Sequence, residues 1–184
     1  MALTREDAWK LLTDWTESKS LLKHARCVEL VMQAAAGKYG LAGDSADEWA
    51  LAGLLHDAGY DKWPEEHPNK IVEWLHDRGE ASIAKAIASH YTGWGLPYEE
   101  QMQKALVACD ELTGFIVACC LVRPEGVSTL KPKSVKKKLK DKAFARSVER
   151  HEVYQGVELL DGDLTDHIQF IIDTLREHRE ELEI

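Results

Sequence analysis

The sequence predicts an all-α protein, and two observations carry that prediction. Apolar residues recur at helical spacing through nearly the whole chain, and no segment alternates apolar and polar residues as a half-buried strand would. The 184 residues are 45% apolar and 30% charged, which suits one globular domain with a sizeable core. Neither an internal repeat nor a Pro- or Gly-rich linker interrupts the chain. We therefore expect one domain over residues 1–184, built as a helical bundle.

Capping residues and helix breakers set the expected elements in order. Thr4 suits the start of a first helix through Trp15, and a second helix is expected from about Ser20 to a stop at Gly37. A capping box at 45–48 predicts the start of the third helix, and Pro68 in a first turn predicts the start of the fourth. The later expected helices are Asp47 to about Asp57, Pro68 to Gly79, about Glu80 to His90, Glu99 to Leu121, and two or three more within 134–181.

Charge and composition exclude several classes of protein. Lys and Arg number 23 against 32 Asp and Glu, a formal charge of −9, so phosphates would be repelled from most of the surface. We therefore expect no nucleic-acid partner. No apolar run approaches the roughly 20 residues that span a bilayer, and the N-terminus lacks the pattern of a signal peptide. The four cysteines show no CxxC spacing, which favours buried, reduced thiols and a cytoplasmic protein.

Two His-Asp dipeptides invite a metal-site interpretation, but their surroundings differ. His56-Asp57 ends the apolar run 50–55, where two ionisable groups are costly to bury unless they are paired or bound to metal. His76-Asp77 lies at an expected helix end, where a histidine meets the negative end of the helix dipole. We therefore take the first pair as a candidate site and the second as a helix terminus.

Four further candidate ligands stand in similar contexts: His24 and Asp110 on apolar helix faces, His67 before a proline, and His90 at a helix end. Each alone is more often a hydrogen-bonded core residue or a cap. With His56 and Asp57 they make four imidazoles and two carboxylates, a donor set that suits Mn, Fe, Co or Zn.

The order of these residues resembles the HD superfamily of metal-dependent hydrolases. The motifs that carry the resemblance are LLKHARCVEL (His24), LAGLLHDAGY (His56, Asp57), EEHPNKIVEWL (His67), AIASHYTGWG (His90) and ALVACDELTGFI (Asp110). The later stretch VRPEGVSTLKPKSVKKKLKDKAFARSVER is similar to a subgroup of predicted HD hydrolases. The resemblance implies an HD-type bundle with a metal-binding core at about 20–121 and a C-terminal helical extension at about 134–182.

The resemblance also implies the ligands. The family's metal site corresponds here to His24, His56, Asp57 and Asp110, and the extra ligands of two-metal members correspond to His67 and His90, with Asp57 as the bridge. One or two divalent ions (Mn, Fe, Co, Zn or Mg) are therefore expected. A third is not, because Ser20 stands where some members supply a glutamate. Tyr60 and Tyr91 replace residues typical of the members that cleave cyclic dinucleotides, which argues against that substrate.

The implied activity is a phosphohydrolase in which a metal-activated water attacks phosphorus. The expected substrate is a small phosphorylated metabolite, with nucleotides favoured, as a phosphomonoester or a phosphodiester. Asp57 is expected to be catalytic through the metals, and Asp61 or Tyr60 to relay a proton or orient the water. Lys133 and Lys136 are candidate phosphate-binding residues and Tyr91 a candidate stacking residue.

Several alternatives stay open. The lysine-rich segment 131–142 is equally typical of a solvated helix face, and the aromatic loop after His90 of ordinary packing. A di-iron oxygenase on the same fold and a non-catalytic module that binds metal or nucleotide are the other functional readings. The oligomeric state is not predicted.

Overall fold

The computed structural model describes residues 3–184, and these form ten α-helices with no strand among them. The all-α prediction is confirmed. The helices are α1 (Arg5–Trp15), α2 (Lys19–Tyr39), α3 (Ala46–Leu55), α4 (Asn69–His76), α5 (Ala81–His90), α6 (Gln101–Leu121), α7 (Pro132–Leu139), α8 (Arg150–Leu159), α9 (Leu164–Glu177) and α10 (Arg179–Leu182). Short 3₁₀ turns lie at Pro64–Glu66 and Thr92–Trp94.

Helix α2 packs most extensively against α3 and also contacts α6. The approach of α2 to α3 depends on Gly53, because a Cβ there would lie 2.6 Å from the carbonyl oxygen of Val28. Only glycine permits backbones to come so close. This crossing holds the C-terminal end of α3 beside the second turn of α2, where the candidate ligands lie.

Helix α6 is the central element, and the C-terminal helices pack on it. Gly156 of α8 lies directly against α6, since a Cβ there would come 2.3 Å from the Cα of Ala108. Buried His167 of α9 donates from Nε2 to the carbonyl oxygen of Ala108 at 2.8 Å and receives the Tyr39 hydroxyl at Nδ1. The C-terminal helices therefore brace the same helix that carries Asp110.

Some helix boundaries differ from the prediction. The expected stop at Gly37 is wrong: α2 continues to Tyr39, and the backbone N–H of Gly40 donates to the carbonyl of Ala36 as the C-cap. A Cβ at Gly40 would meet that carbonyl at 2.4 Å, so this glycine, and not Gly37, is the one the turn requires. Helix α3 ends at Leu55, and the C-terminal part has four helices instead of two or three.

All four cysteines are free and buried, as predicted. Over residues 3–184, no helix combines the length and the apolar character needed to cross a membrane.

Candidate metal centre

Six candidate ligands from five segments meet at one end of the bundle. Four of them lie at or just after a helix end, where side chains from different segments can meet at the rim of the core. They are His24 in α2, His56 at the C-cap of α3, Asp57 next to it, His67 at the C-cap of the first 3₁₀ turn, His90 at the end of α5, and Asp110 in α6.

One half of the centre is tightly assembled. Asp110 Oδ1 lies 2.9 Å from Nε2 of His24 and 3.1 Å from Nε2 of His56, and the two Nε2 atoms are 3.1 Å apart. Asp57 Oδ2 faces the same imidazoles at 3.7 and 3.3 Å. Two nitrogens and two carboxylate oxygens therefore converge in this half.

The other half uses the second oxygen of the same carboxylate. Asp57 Oδ1 lies 3.5 Å from Nε2 of His67 and 3.9 Å from Nε2 of His90. The groups His24–His56–Asp57 and Asp57–His67–His90 each bring their donor atoms within 4.8 Å of one another. Asp57 thus stands between two potential ligand groups and presents one oxygen to each.

Hydrogen bonds to backbone carbonyls fix two of the imidazole rings. Nδ1–H of His56 donates to the carbonyl oxygen of Gly53 at 2.7 Å, and Nδ1–H of His90 donates to that of Ile87. A proton held on Nδ1 leaves the Nε2 lone pair free toward Asp57, which is the tautomer that a metal ligand needs. Nδ1 of His67 is buried and has no hydrogen-bond partner within residues 3–184.

The electrostatics of the tight half call for a cation. Burial acts to lower the pKa of His56, but the carboxylates of Asp57 and Asp110 outweigh it and raise this pKa well above its usual value. Burial acts to raise the pKa of Asp110, yet His56 and His24 hold it below the usual range. A divalent ion would supply the positive charge that a proton on His56 otherwise provides.

His67 has the opposite balance, since burial lowers its pKa to about 4 and this ring is neutral at pH 7. A neutral imidazole is the form that binds a metal. Imidazole nitrogens with carboxylate oxygens fit Mn, Fe, Co or Zn, whereas Mg²⁺ prefers oxygen ligands. The residues present therefore fit a transition-metal centre.

A cleft of about 870 Å³ opens over the candidate ligands. Tyr60 and Tyr91 line it and set their rings edge-on to His67, with centroids 5.3 and 5.9 Å away. Thr92 lines it too and donates its hydroxyl to Glu152 at 2.6 Å. A small molecule can therefore reach the candidate ligands from solvent.

Of the other predicted site residues, the structure brings Tyr60 and Tyr91 to the cleft. Asp61 is exposed, and its Oδ2 accepts the backbone N–H groups of Glu17 and Ser18 at 2.9 and 2.8 Å. Lys133 and Lys136 lie on α7 outside the cleft, and Lys136 donates to Thr165. These contacts give no support to the roles predicted for Asp61, Lys133 and Lys136, which stay predictions.

Sequence reasoning missed the loop 140–149, which forms part of the cleft wall. Arg150 fastens this loop by donating to the carbonyl oxygens of Asp141, Phe144, Ala145 and Val148. Because the acceptors are backbone carbonyls, the pattern of residue types does not predict these hydrogen bonds.

Glu111, which directly follows Asp110 in the sequence, was also missed. It lines the cleft, and its carboxylate accepts the backbone N–H of Glu149 at 2.9 Å. Burial and the neighbouring Asp110 raise its pKa to about 7. Its position next to a candidate ligand was the signal that could have drawn attention to it.

The segment that carries the candidate ligands matches a known protein family. Residues 21–111 match the protein family described as HD domain. The matched segment contains all six candidate ligands. No curated protein and no solved structure matched the chain.

Proposed function

The HD domain at residues 21–111 makes this chain a member of the HD-domain superfamily of metal-dependent hydrolases, and we propose that it is a phosphohydrolase acting on a small phosphorylated metabolite. The observation that carries the proposal is the orientation of Asp57, which presents Oδ2 to His24 and His56 and Oδ1 to His67 and His90. If two divalent ions bind, Asp57 would be a ligand of both, with His24 and His56 in one group and His67 and His90 in the other. When bound, such ions polarise a phosphoryl oxygen and supply a hydroxide nucleophile near neutral pH.

The chain's own residues hold the ligands and receive the substrate. Gly53 and Ile87 fix the ring orientations of His56 and His90 through their carbonyls. Lys23 lines the cleft and offers a positive charge to a phosphoryl oxygen. Tyr91 is 42% exposed and offers a ring face to an organic group such as a nucleobase, so nucleotides belong in the substrate screen.

The proposed reaction is hydrolysis of a phosphate ester. A bond forms between a water oxygen and phosphorus, and the bond from phosphorus to the ester oxygen breaks. One water proton ends on the leaving alcohol and the other stays with the released phosphate. Nothing is oxidised or reduced, which separates this reaction from the oxygenase alternative.

The test is metal analysis of the full chain, purified anaerobically without chelator, followed by a phosphate-release screen. We expect one to two transition-metal ions per chain and phosphate release from at least one ester. Bound iron with oxygen uptake and no phosphate release would favour the oxygenase. Metal binding without either reaction would leave the non-catalytic module, and failure to bind any metal after repletion would contradict the proposal.

A further inference from the structure

One face of α6 forms an apolar wall that begins beside the metal centre. After Asp110, the residues of this helix that line the cleft include Gly114, Val117, Ala118 and Leu121. Their spacing of four, three, one and three residues places them on one side of the helix. From Asp110 to Leu121 the stripe runs about 16 Å at 1.5 Å per residue. It therefore extends well beyond the space that a phosphoryl group needs.

Small residues keep this wall open near the ligands. A Cβ added at Gly114 would come into van der Waals contact with the ring of His24, at 3.4 Å, so glycine leaves this space beside a candidate ligand open. One turn further, Ala118 again presents only a methyl group to the cleft. The wall is therefore apolar and carries only small side chains where it leaves the metal centre.

Other segments add apolar side chains to the cleft. Leu21 of α2 and Ala145 and Val148 of the loop 140–149 line it beside polar neighbours. At the far end Leu121 is 66% exposed, although a leucine side chain gains about 2 kcal/mol from full burial. An apolar ligand that reached Leu121 would cover this surface.

The charges of the cleft disfavour a polyphosphate. Lys23 is the one Lys or Arg among its described lining residues, whereas the carboxylates of Glu149 and Glu152 line it, with His151 3.4 and 3.9 Å from them. A single phosphoryl group can be neutralised at the metal centre and by Lys23. Further phosphates would lie in a cleft that offers them carboxylates and no second Lys or Arg among its described lining residues, which is unfavourable.

We propose that the substrate is a phosphomonoester with a single phosphoryl group, whose organic part is apolar and lies along α6 from Gly114 to Leu121. The inference rests on the proposed function for the site of the phosphoryl group. It goes further in assigning the remainder of the cleft to an alkyl or similar apolar leaving group. Among nucleotides, only the monophosphates have the single phosphoryl group that the cleft favours. Their polar ribose is a poor match for the apolar wall.

Binding of phosphonates to the metal-loaded full chain tests the inference without requiring turnover. Calorimetry of ethylphosphonate and hexylphosphonate compares two ligands that differ by four methylenes. Burial of each methylene is worth roughly a three- to fourfold gain in affinity. We expect hexylphosphonate to bind on the order of 100-fold more tightly than ethylphosphonate, and more tightly than adenosine monophosphate.

Two valines near the end of α6 provide a matched pair of variants. Val117→Ser should reduce the hexyl-to-ethyl affinity ratio by about three- to tenfold, because Val117 lines the cleft about 10 Å along the stripe from Asp110, within reach of a hexyl chain. Val122→Ser should leave the ratio unchanged, since Val122 is 60% exposed but does not line the cleft. Ala118→Phe, which fills the middle of the wall, should reduce the ratio further.

The outcomes separate the two proposals. Equal affinity for both phosphonates, or tighter binding of adenosine monophosphate than of hexylphosphonate, would overturn the apolar leaving group. Phosphate release from ethyl phosphate in the same preparation would then leave the proposed phosphohydrolase standing. A chain that binds metal but neither phosphonate overturns the inference, and absence of phosphate release from every ester would overturn the proposed function with it.

Discussion

The two halves of the metal centre, divided by Asp57, are built differently. The half with His24, His56 and Asp110 has nitrogen–oxygen contacts of 2.9 to 3.1 Å between groups carried by α2, α3 and α6. In the half with His67 and His90, the nitrogens lie 3.5 and 3.9 Å from the shared carboxylate. One half is set by three mutually packed helices, and the other by the ends of a 3₁₀ turn and of α5.

This difference distinguishes ligands that are positioned by the packed core from ligands that are positioned by local backbone structure. Ligands on packed helices are held by the same contacts that stabilise the bundle, whereas a ligand that follows a short turn depends on local backbone structure. We therefore expect the first half to bind its ion more tightly than the second.

Asp57→Ala should have the largest effect, since this carboxylate serves both halves. We expect loss of all bound metal and a fall in phosphate release of at least about a thousandfold. The helical content should persist, because the apolar faces of the helices are untouched. Metal analysis and far-ultraviolet circular dichroism check the two statements. Retention of one ion per chain would show that the halves are independent of Asp57.

His67→Ala and His24→Ala form a pair, one from each half. His67→Ala should reduce two bound ions to one and leave that ion tightly bound. In His24→Ala, the remaining ion should bind at least about tenfold more weakly than the one that His67→Ala retains. Calorimetric titration of metal-free protein measures both dissociation constants. Equal constants would mean that the tighter packing of the first half has no consequence for affinity.

Gly53→Ala should damage the first half through the fold. The added Cβ would lie 2.6 Å from the Val28 carbonyl, so α2 and α3 must separate, at a cost of about 3 kcal/mol in the free energy of unfolding. Gly37→Ala is the matched control, because a Cβ there meets nothing within 4 Å. It should stabilise the protein by about 0.5–1 kcal/mol. Urea denaturation measures both, and equal effects would contradict the close helix crossing.

His76→Ala should change neither metal content nor phosphate release. His76 is exposed at the end of α4, away from the cleft, although it begins a His-Asp dipeptide like His56. The same assays on His56→Ala should show loss of metal. If the two variants exchanged these results, the choice between the dipeptides would be wrong.

The fold class and the candidate ligands were accessible from the sequence for a physical reason. Apolar residues at helical spacing report the buried faces of helices, and a charged pair such as His56-Asp57 at the end of an apolar run is costly unless it has a use. Convergence of the six ligands was not accessible, because sequence spacing within one helix says nothing about which helices meet.

Other features could not be read from residue types. Gly37 and Gly40 are both glycines near the end of α2, and only the backbone conformation shows that Gly40 is the C-cap. Val117 and Ala118 carry the spacing of core residues, yet they line a cleft. The sequence places Asp61 in a turn, a position that suits a catalytic acid. In the structure its carboxylate accepts hydrogen bonds from backbone N–H groups instead.

The hydrogen bonds from Arg150 to the loop 140–149 affect which substitutions this surface tolerates. Its guanidinium holds four backbone carbonyls of the loop, including that of Ala145, whose φ of 43° is unusual for a residue other than glycine. Two side chains outside the loop therefore hold its backbone, Arg150 at the carbonyls and Glu111 at the N–H of Glu149. Substitutions at Ser147 or Val148 alter what the cleft presents to a ligand while the carbonyl contacts keep the backbone in place. This loop is the natural place to diversify when the selectivity of the cleft is to be redesigned.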